Sequence, residues 1–272
     1  MSNQGRIEDC IRQGLPLADM PVVDFHTHIA AGSAEYYYIP KSSPENIIAS
    51  MNRYGVDMAV TFPITQASDV NCGNRAQYDI ADAHPERFFA LSMLHAGFPE
   101  DWIKILEEGY RRGSRGIKLI SQYQQRDEAY IDWTAAFDFA RDRNWVVLHH
   151  DWGGVDRLTR WAEAYPEIIF IIGHASIEYK AVVERYPNVF QNTCACFVSC
   201  IYPSAQKMLD NLPDDKILYG SDALDLEFGT GIGPIAFALA SEETKQKILG
   251  RNALRIMHKL GWRIPPILQK YV

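Results

Sequence analysis

Ile168-Ile169-Phe170-Ile171-Ile172-Gly173-His174 is the most apolar stretch of the 272-residue chain, and it ends in a histidine. It is too short for a core helix and lacks the polar–apolar alternation of a half-exposed strand. It therefore reads as a strand buried on both faces, which needs a layer above and a layer below. Helical patterns flank it, at about 155–164 before and 177–185 after. Working outward, comparable runs recur at 22–28, 57–62, 87–93, 116–120, 145–149, 188–193 and 216–220, each followed by a helical segment. Eight strand–helix units predict an α/β fold, a single (β/α)8 TIM barrel. A doubly wound open sheet is the alternative, but no Gly-x-Gly-x-x-Gly follows the first strand. No linker or low-complexity tract divides the chain, so residues 1–272 read as one barrel domain. Residues 1–20 form an N-terminal helical extension. Ser43 and Pro44 have the chemistry of an N-cap and first position for the helix after the first strand.

Composition narrows the function. A net charge of -7 argues against nucleic acid or an anionic membrane as partner. Apolar runs fall short of the roughly 18–20 residues that cross a bilayer. The polar, acid-bearing N-terminus does not read as a signal peptide. Five cysteines without disulfide spacing suit a reducing, cytoplasmic setting. The cluster Cys194, Cys196 and Cys200 lacks a fourth ligand at zinc-finger spacing and reads as buried thiols, with Cys194 or Cys196 near the pocket.

In a barrel the C-terminal strand ends converge on one rim, where chemistry is done. The first strand, Val22-Val23-Asp24-Phe25-His26-Thr27-His28, places His26 and His28 at i and i+2, on one face. Two imidazoles aimed at one point form half of a zinc-type site. The fifth strand ends at His149, the sixth at His174, and the eighth runs into Ser221-Asp222. Lys118 lies on the fourth. His149 and His150 are adjacent, so one of them faces the axis; His149, which continues the strand directly, is assigned that place. Singly, each has a plainer reading: a satisfied core histidine for His174, the cap of a turn for Asp222.

Together, Asp24-Phe25-His26-Thr27-His28, Gly116-Ile117-Lys118-Leu119, Val147-Leu148-His149, Ile172-Gly173-His174 and Leu218-Tyr219-Gly220-Ser221-Asp222 resemble the amidohydrolase superfamily. Ile248-Leu249-Gly250-Arg251-Asn252-Ala253-Leu254 is similar to the closing segment of its "amidohydrolase 2" branch, which includes aminocarboxymuconate-semialdehyde decarboxylase and lactonases. The resemblance implies a divalent metal on the rim, with His26, His28, His149 and Asp222 at the ligand positions. It implies a catalytic role for His174, or a second-metal role in binuclear relatives. Lys118 falls where binuclear members carry a carboxylated lysine, so a second metal would require that modification. We expect instead one metal, zinc first and manganese second, with Lys118 as a pocket lysine.

Such a ligand set implies a metal-dependent hydrolase of a lactone, ester or amide. The metal would lower the pKa of a water from 15.7 towards about 7. Asp222 would serve as general base and His174 would polarise the carbonyl. Decarboxylation of a small unsaturated or aromatic acid is the alternative. Substrate contacts are expected from Lys118, Tyr36, Tyr123, Trp152 and Phe197, for a small carbonyl or carboxylate compound. A Schiff-base barrel using Lys118 and a non-catalytic binding barrel are the remaining readings. The N-terminal helix and aromatic loops are compatible with a homodimer.

Overall fold

The computed structural model describes residues 6–29, 43–64, 70–198, 200–223 and 226–272. Its strands are β1 (Val23–Thr27), β2 (Met58–Thr61), β3 in two pieces (Phe88–Ala90 and Ser92–Met93), β4 (Gly116–Leu119), β5 (Val146–His149), β6 (Ile169–Ile172), β7 (Val189–Asn192) and β8 (Ile217–Leu218). All neighbours pair in parallel, in sequence order. β8 returns to β1 through Phe25 N–H donating to the Tyr219 carbonyl at 2.8 Å and a parallel bridge from Thr27 to Ala223. The eight-fold TIM-barrel expectation is met.

Two apolar layers alternate along the strands. Val146, Leu148, Ile169, Ile171, Phe190 and Leu218 fill the barrel, while Val147, Phe170, Ile172, Val189 and Ile217 pack against the helices. Such buried side chains contribute about 1.5–3 kcal/mol each. The barrel floor is closed by Trp262, whose ring meets those of Phe25 at 6.2 Å and Phe89 at 5.4 Å.

Local signals behave as their chemistry requires. Ser43 caps the helix Pro44–Tyr54, accepting from Asn46 N–H at 3.4 Å with Pro44 in the first turn. The segment around Gly250 and Asn252 ties the C-terminal helices under the barrel. Asn252 donates to the Asp214 and Ile217 carbonyls, both at 2.8 Å, and a side chain at Gly250 would strike the Pro21 backbone. The helix Arg6–Arg12 buries Ile7 and donates Ile7 N–H to Glu242 at 3.1 Å. No helix among the described residues is long and apolar enough to cross a membrane.

Candidate metal centre

A register shift in β1 makes the site. Asp24 pairs with Ala59 but Thr27 with Thr61, so three steps on β1 match two on β2. The extra residue is a bulge, which lets Phe25 and His26 both face the barrel. Without it His26 and His28 would point at the helices, as Asp24 does. Asp24 instead braces the bulge from behind: its Oδ1 accepts from His26 N–H at 3.0 Å and Ser221 N–H at 3.2 Å. Burial pushes that carboxyl up to about 7.

Inside the rim, His26 and His28 both pack edge-on against Phe62, at 4.9 and 4.8 Å between ring centres. Asp222 is brought over them by a turn at φ 66°, in the left-handed region that few side-chain-bearing residues adopt. Its N–H donates to the His26 carbonyl at 3.0 Å. Gly220 gives the room for this crossing, since a Cβ there would collide with Asn192 Oδ1 and lie 2.7 Å from His26 Cβ. Asp222 Oδ1 lies 3.1 Å from His28 Nε2 and 3.5 Å from His26 Nε2.

The donor set fits a metal. His28 Nδ1 lies 3.2 Å from the Phe62 carbonyl, to which only its N–H form can donate. In the neutral ring Nε2 is then a bare lone pair facing the carboxylate oxygen. Two acceptors at that separation need a proton or a cation between them. Buried His26 has no hydrogen-bond partner at either ring nitrogen. Burial first, and then the Lys118 charge, hold His26 far below the ordinary imidazole range, so it presents neutral nitrogen. The ligand atoms of His26, His28 and Asp222 all lie within 4.8 Å of one another. Burial alone would raise the Asp222 carboxyl, but the hydrogen bond and charge of His28, with His174 and Lys118, hold it well below the usual range.

Other predicted residues divide between the site and its surroundings. His174 stands 5.4 Å from His26 between ring centres, and its Nδ1 meets the Tyr202 hydroxyl at 3.1 Å. Lys118 is fully buried, its Nζ 4.4 Å above the Phe62 ring and without a hydrogen bond. Burial brings that amine down to about 7. Tyr123 lies against His150 at 4.7 Å. Trp152 is in the outer layer, where its indole donates to the Ile171 carbonyl at 3.1 Å, and Phe197 is half-buried against that same layer. Tyr36 lies outside the described residues.

His149 does not join the cluster. Its Nδ1 accepts from Asp151 N–H at 3.1 Å and its Nε2 meets Glu128 Oε2 at 2.8 Å, so no lone pair is left for a metal. The inward imidazole on β5 is His150, 4.2 Å from the His174 ring and, like it, buried and held below the ordinary range. Alternation shows this in the sequence: Val146 and Leu148 fill the barrel, so the next inward position is 150. Above His150 and His174 a cleft of about 450 Å³ opens, also lined by Asp151, Tyr179, Ile201 and Tyr202.

The family model described as amidohydrolase matches residues 23–258. The chain belongs to the amidohydrolase-2 family. Curated proteins gave no match. Among solved structures, this amidohydrolase is similar to 4-oxalomesaconate hydratase from Rhodopseudomonas palustris, at 18% identity and TM-score 0.63, covering 88% of this chain and 96% of that one. It is similar to a probable 2-pyrone-4,6-dicarboxylic acid hydrolase from Acinetobacter baumannii with citric acid bound, at 13% and 0.64, covering 89% and 100%. The 5-carboxyvanillate decarboxylase from Novosphingobium aromaticivorans, complexed with manganese and 4-hydroxy-3-methoxy-5-nitrobenzoic acid, aligns at 15% and 0.64, covering 88% and 96%. At these identities the likeness is one of fold, and the neighbours include hydrolases, a hydratase and decarboxylases.

Proposed function

We propose that this amidohydrolase hydrolyses a C–O or C–N bond, of a lactone, ester or amide, in a small carbonyl compound bearing a carboxylate. One divalent metal, zinc or manganese, would be held by His26, His28 and Asp222. The observation that carries this reading is the close approach of His28 Nε2 and Asp222 Oδ1, 3.1 Å apart, beside a His26 ring with no hydrogen-bond partner at either nitrogen. When bound, such a cation supplies Lewis acidity toward a carbonyl oxygen and lowers the pKa of water.

The side chains supply the rest. Asp222, ionised at neutral pH, takes the attacking water's proton on the carboxylate oxygen not engaged with His28 and returns it to the leaving group. With the Tyr202 hydroxyl donating to His174 Nδ1, Nε2 carries a proton and donates to the developing oxyanion. His150 fills the strand-five place that the family resemblance gave to His149. Lys118 receives the substrate carboxylate.

Decarboxylation is the second reading, because the buried Lys118 amine has no hydrogen-bond partner and is equally placed to hold the group that departs. Metal analysis followed by a substrate panel tests both. Acid release from lactones, esters or amides supports hydrolysis, and carbon dioxide release from unsaturated or aromatic acids supports the second. Turnover indifferent to chelators, with borohydride trapping on Lys118, would overturn the metal reading.

Three variants probe the assignments. Lys118→Met should keep the metal and raise KM for carboxylate substrates roughly 30-fold or more, since losing one partner of a buried charge pair costs about 2–5 kcal/mol. An unchanged KM removes Lys118 from substrate binding. His150→Ala should lower kcat/KM by about 10²-fold or more with little change in melting temperature. His149→Leu should show the opposite balance, a large loss of stability and a smaller fall in turnover, because the His149 ring also holds the segment that carries His150. Kinetics and melting curves on the pair check whether alternation assigned the inward ring correctly.

A further inference from the structure

Cys194 is a buried thiol at the rim that the proposed reaction leaves unused. It follows β7, fastened at both backbone polar groups: its N–H donates to Asn192 Oδ1 at 2.7 Å and its carbonyl accepts from Ala175 N–H at 2.8 Å. The side chain is fully buried. The donor atoms of His26, His174 and Cys194 all lie within 4.8 Å of one another, as do those of His26, His28 and Asp222. His26 belongs to both sets and has no hydrogen-bond partner at either nitrogen.

We propose that His26, His174 and Cys194 form a second, thiolate-bearing metal seat that shares His26 with the first and takes thiophilic divalent ions. The inference rests on the reading that His26 serves a metal. Donor chemistry separates the seats. Two imidazoles and a thiolate select zinc, cobalt or cadmium, whereas two imidazoles and a carboxylate also accept manganese. Because His26 offers one nitrogen to one ion, occupancy is exclusive: a thiophilic ion at Cys194 displaces one at Asp222. Entry of the ion replaces the S–H proton, which leaves to solvent, so no oxidant or reductant is needed. His174 would then hold its proton on Nδ1, donating to the Tyr202 hydroxyl, and give its bare Nε2 to the ion, so it no longer donates to substrate, which makes the thiolate seat an inhibitory one.

Cobalt(II) and cadmium(II) report on this without turnover. Cobalt-loaded wild type should show a near-ultraviolet thiolate-to-cobalt charge-transfer band, lost in Cys194→Ser and His174→Ala. It should be kept in Cys196→Ser, which removes the other buried thiol of that segment. Cys194→Ser should bind cadmium roughly 10–100-fold more weakly and manganese as well as wild type does. If the Cys194 variant does not fold, the cadmium-113 chemical shift of the wild type decides, since a sulfur ligand moves it far from the nitrogen–oxygen range. Manganese and cobalt both bound with no thiolate signature would overturn the second seat and leave the first standing. Failure to bind either ion would overturn both.

Discussion

Replacing His28 with alanine should weaken metal affinity more than 100-fold, lower kcat/KM by about 10³-fold and abolish the rise in melting temperature that metal gives. The three parts have separate causes. Loss of an outer group behind a ligand already costs 10–100-fold in affinity, and here a ligand itself is removed. Lewis-acid assistance is worth several kcal/mol at the transition state, and about 4 kcal/mol corresponds to 10³ in rate. The melting response goes with the ligand because His28 Nε2 and Asp222 Oδ1 approach to 3.1 Å, a pair that a bound cation would tie together. Binding stabilises the folded state by RT ln(1 + [L]/Kd), about 2.7 kcal/mol at 100 times Kd. Wild type should therefore gain several degrees on adding zinc or manganese and lose them with EDTA, while His28→Ala shows neither change. A variant that keeps the metal-dependent gain would remove His28 from the ligand set.

How the chain announces this site, and where it misleads, comes down to alternation on strands. The barrel is legible because each strand is a continuous apolar run, which only a sheet covered on both sides tolerates. His26 and His28 are legible as a pair because i and i+2 share a face. That the face is the inner one depends on a bulge at Phe25 and His26, and neither residue type announces a bulge. On β5 the same rule holds without interruption, and there it gives His150; His149 draws attention only because it extends the strand without a break. Trp152 shows the related limit of reading a loop aromatic as a pocket wall, since its ring lies between β6 and the helices. Lys118 and Asp222 were legible by position. The bonds that hold the β5 rim depend on Glu128, in a turn whose sequence Asp127-Glu128-Ala129-Tyr130 reads as solvent-facing.

Glu128→Ala should lower the unfolding free energy by about 3–5 kcal/mol, one of the largest losses open to a single residue off the metal centre. The carboxylate is buried and meets four donors. Oε2 accepts from Ser121 Oγ and His149 Nε2, both at 2.8 Å; Oε1 accepts from Trp133 Nε1 at 2.7 Å and Arg157 Nε at 3.0 Å. Removing it strands buried donors, each costing about 1–3 kcal/mol when unsatisfied. At 2–4 °C per kcal/mol for a chain of this size class, the melting temperature should fall by roughly 6–20 °C. Glu128→Gln tests charge against volume: its amide keeps one acceptor and turns an NH₂ toward donors, so most of the loss should persist. The pH dependence has a fixed sign. Burial tends to raise the Glu128 carboxyl, but His149, Trp133 and Ser121 outweigh it and hold it below its ordinary 4.5. A carboxyl depressed in the folded state contributes stability above its unfolded pKa and loses it as pH falls through the folded value. The gap between wild type and Glu128→Ala should thus be full at neutral pH and shrink below about 4.5. Since His149 Nδ1 also holds the Asp151 N–H, the loosened segment is the one that carries His150. Glu128→Ala should therefore lower turnover beyond its effect on the folded fraction. A variant whose folded molecules turn over at the wild-type rate would confine Glu128 to stability alone.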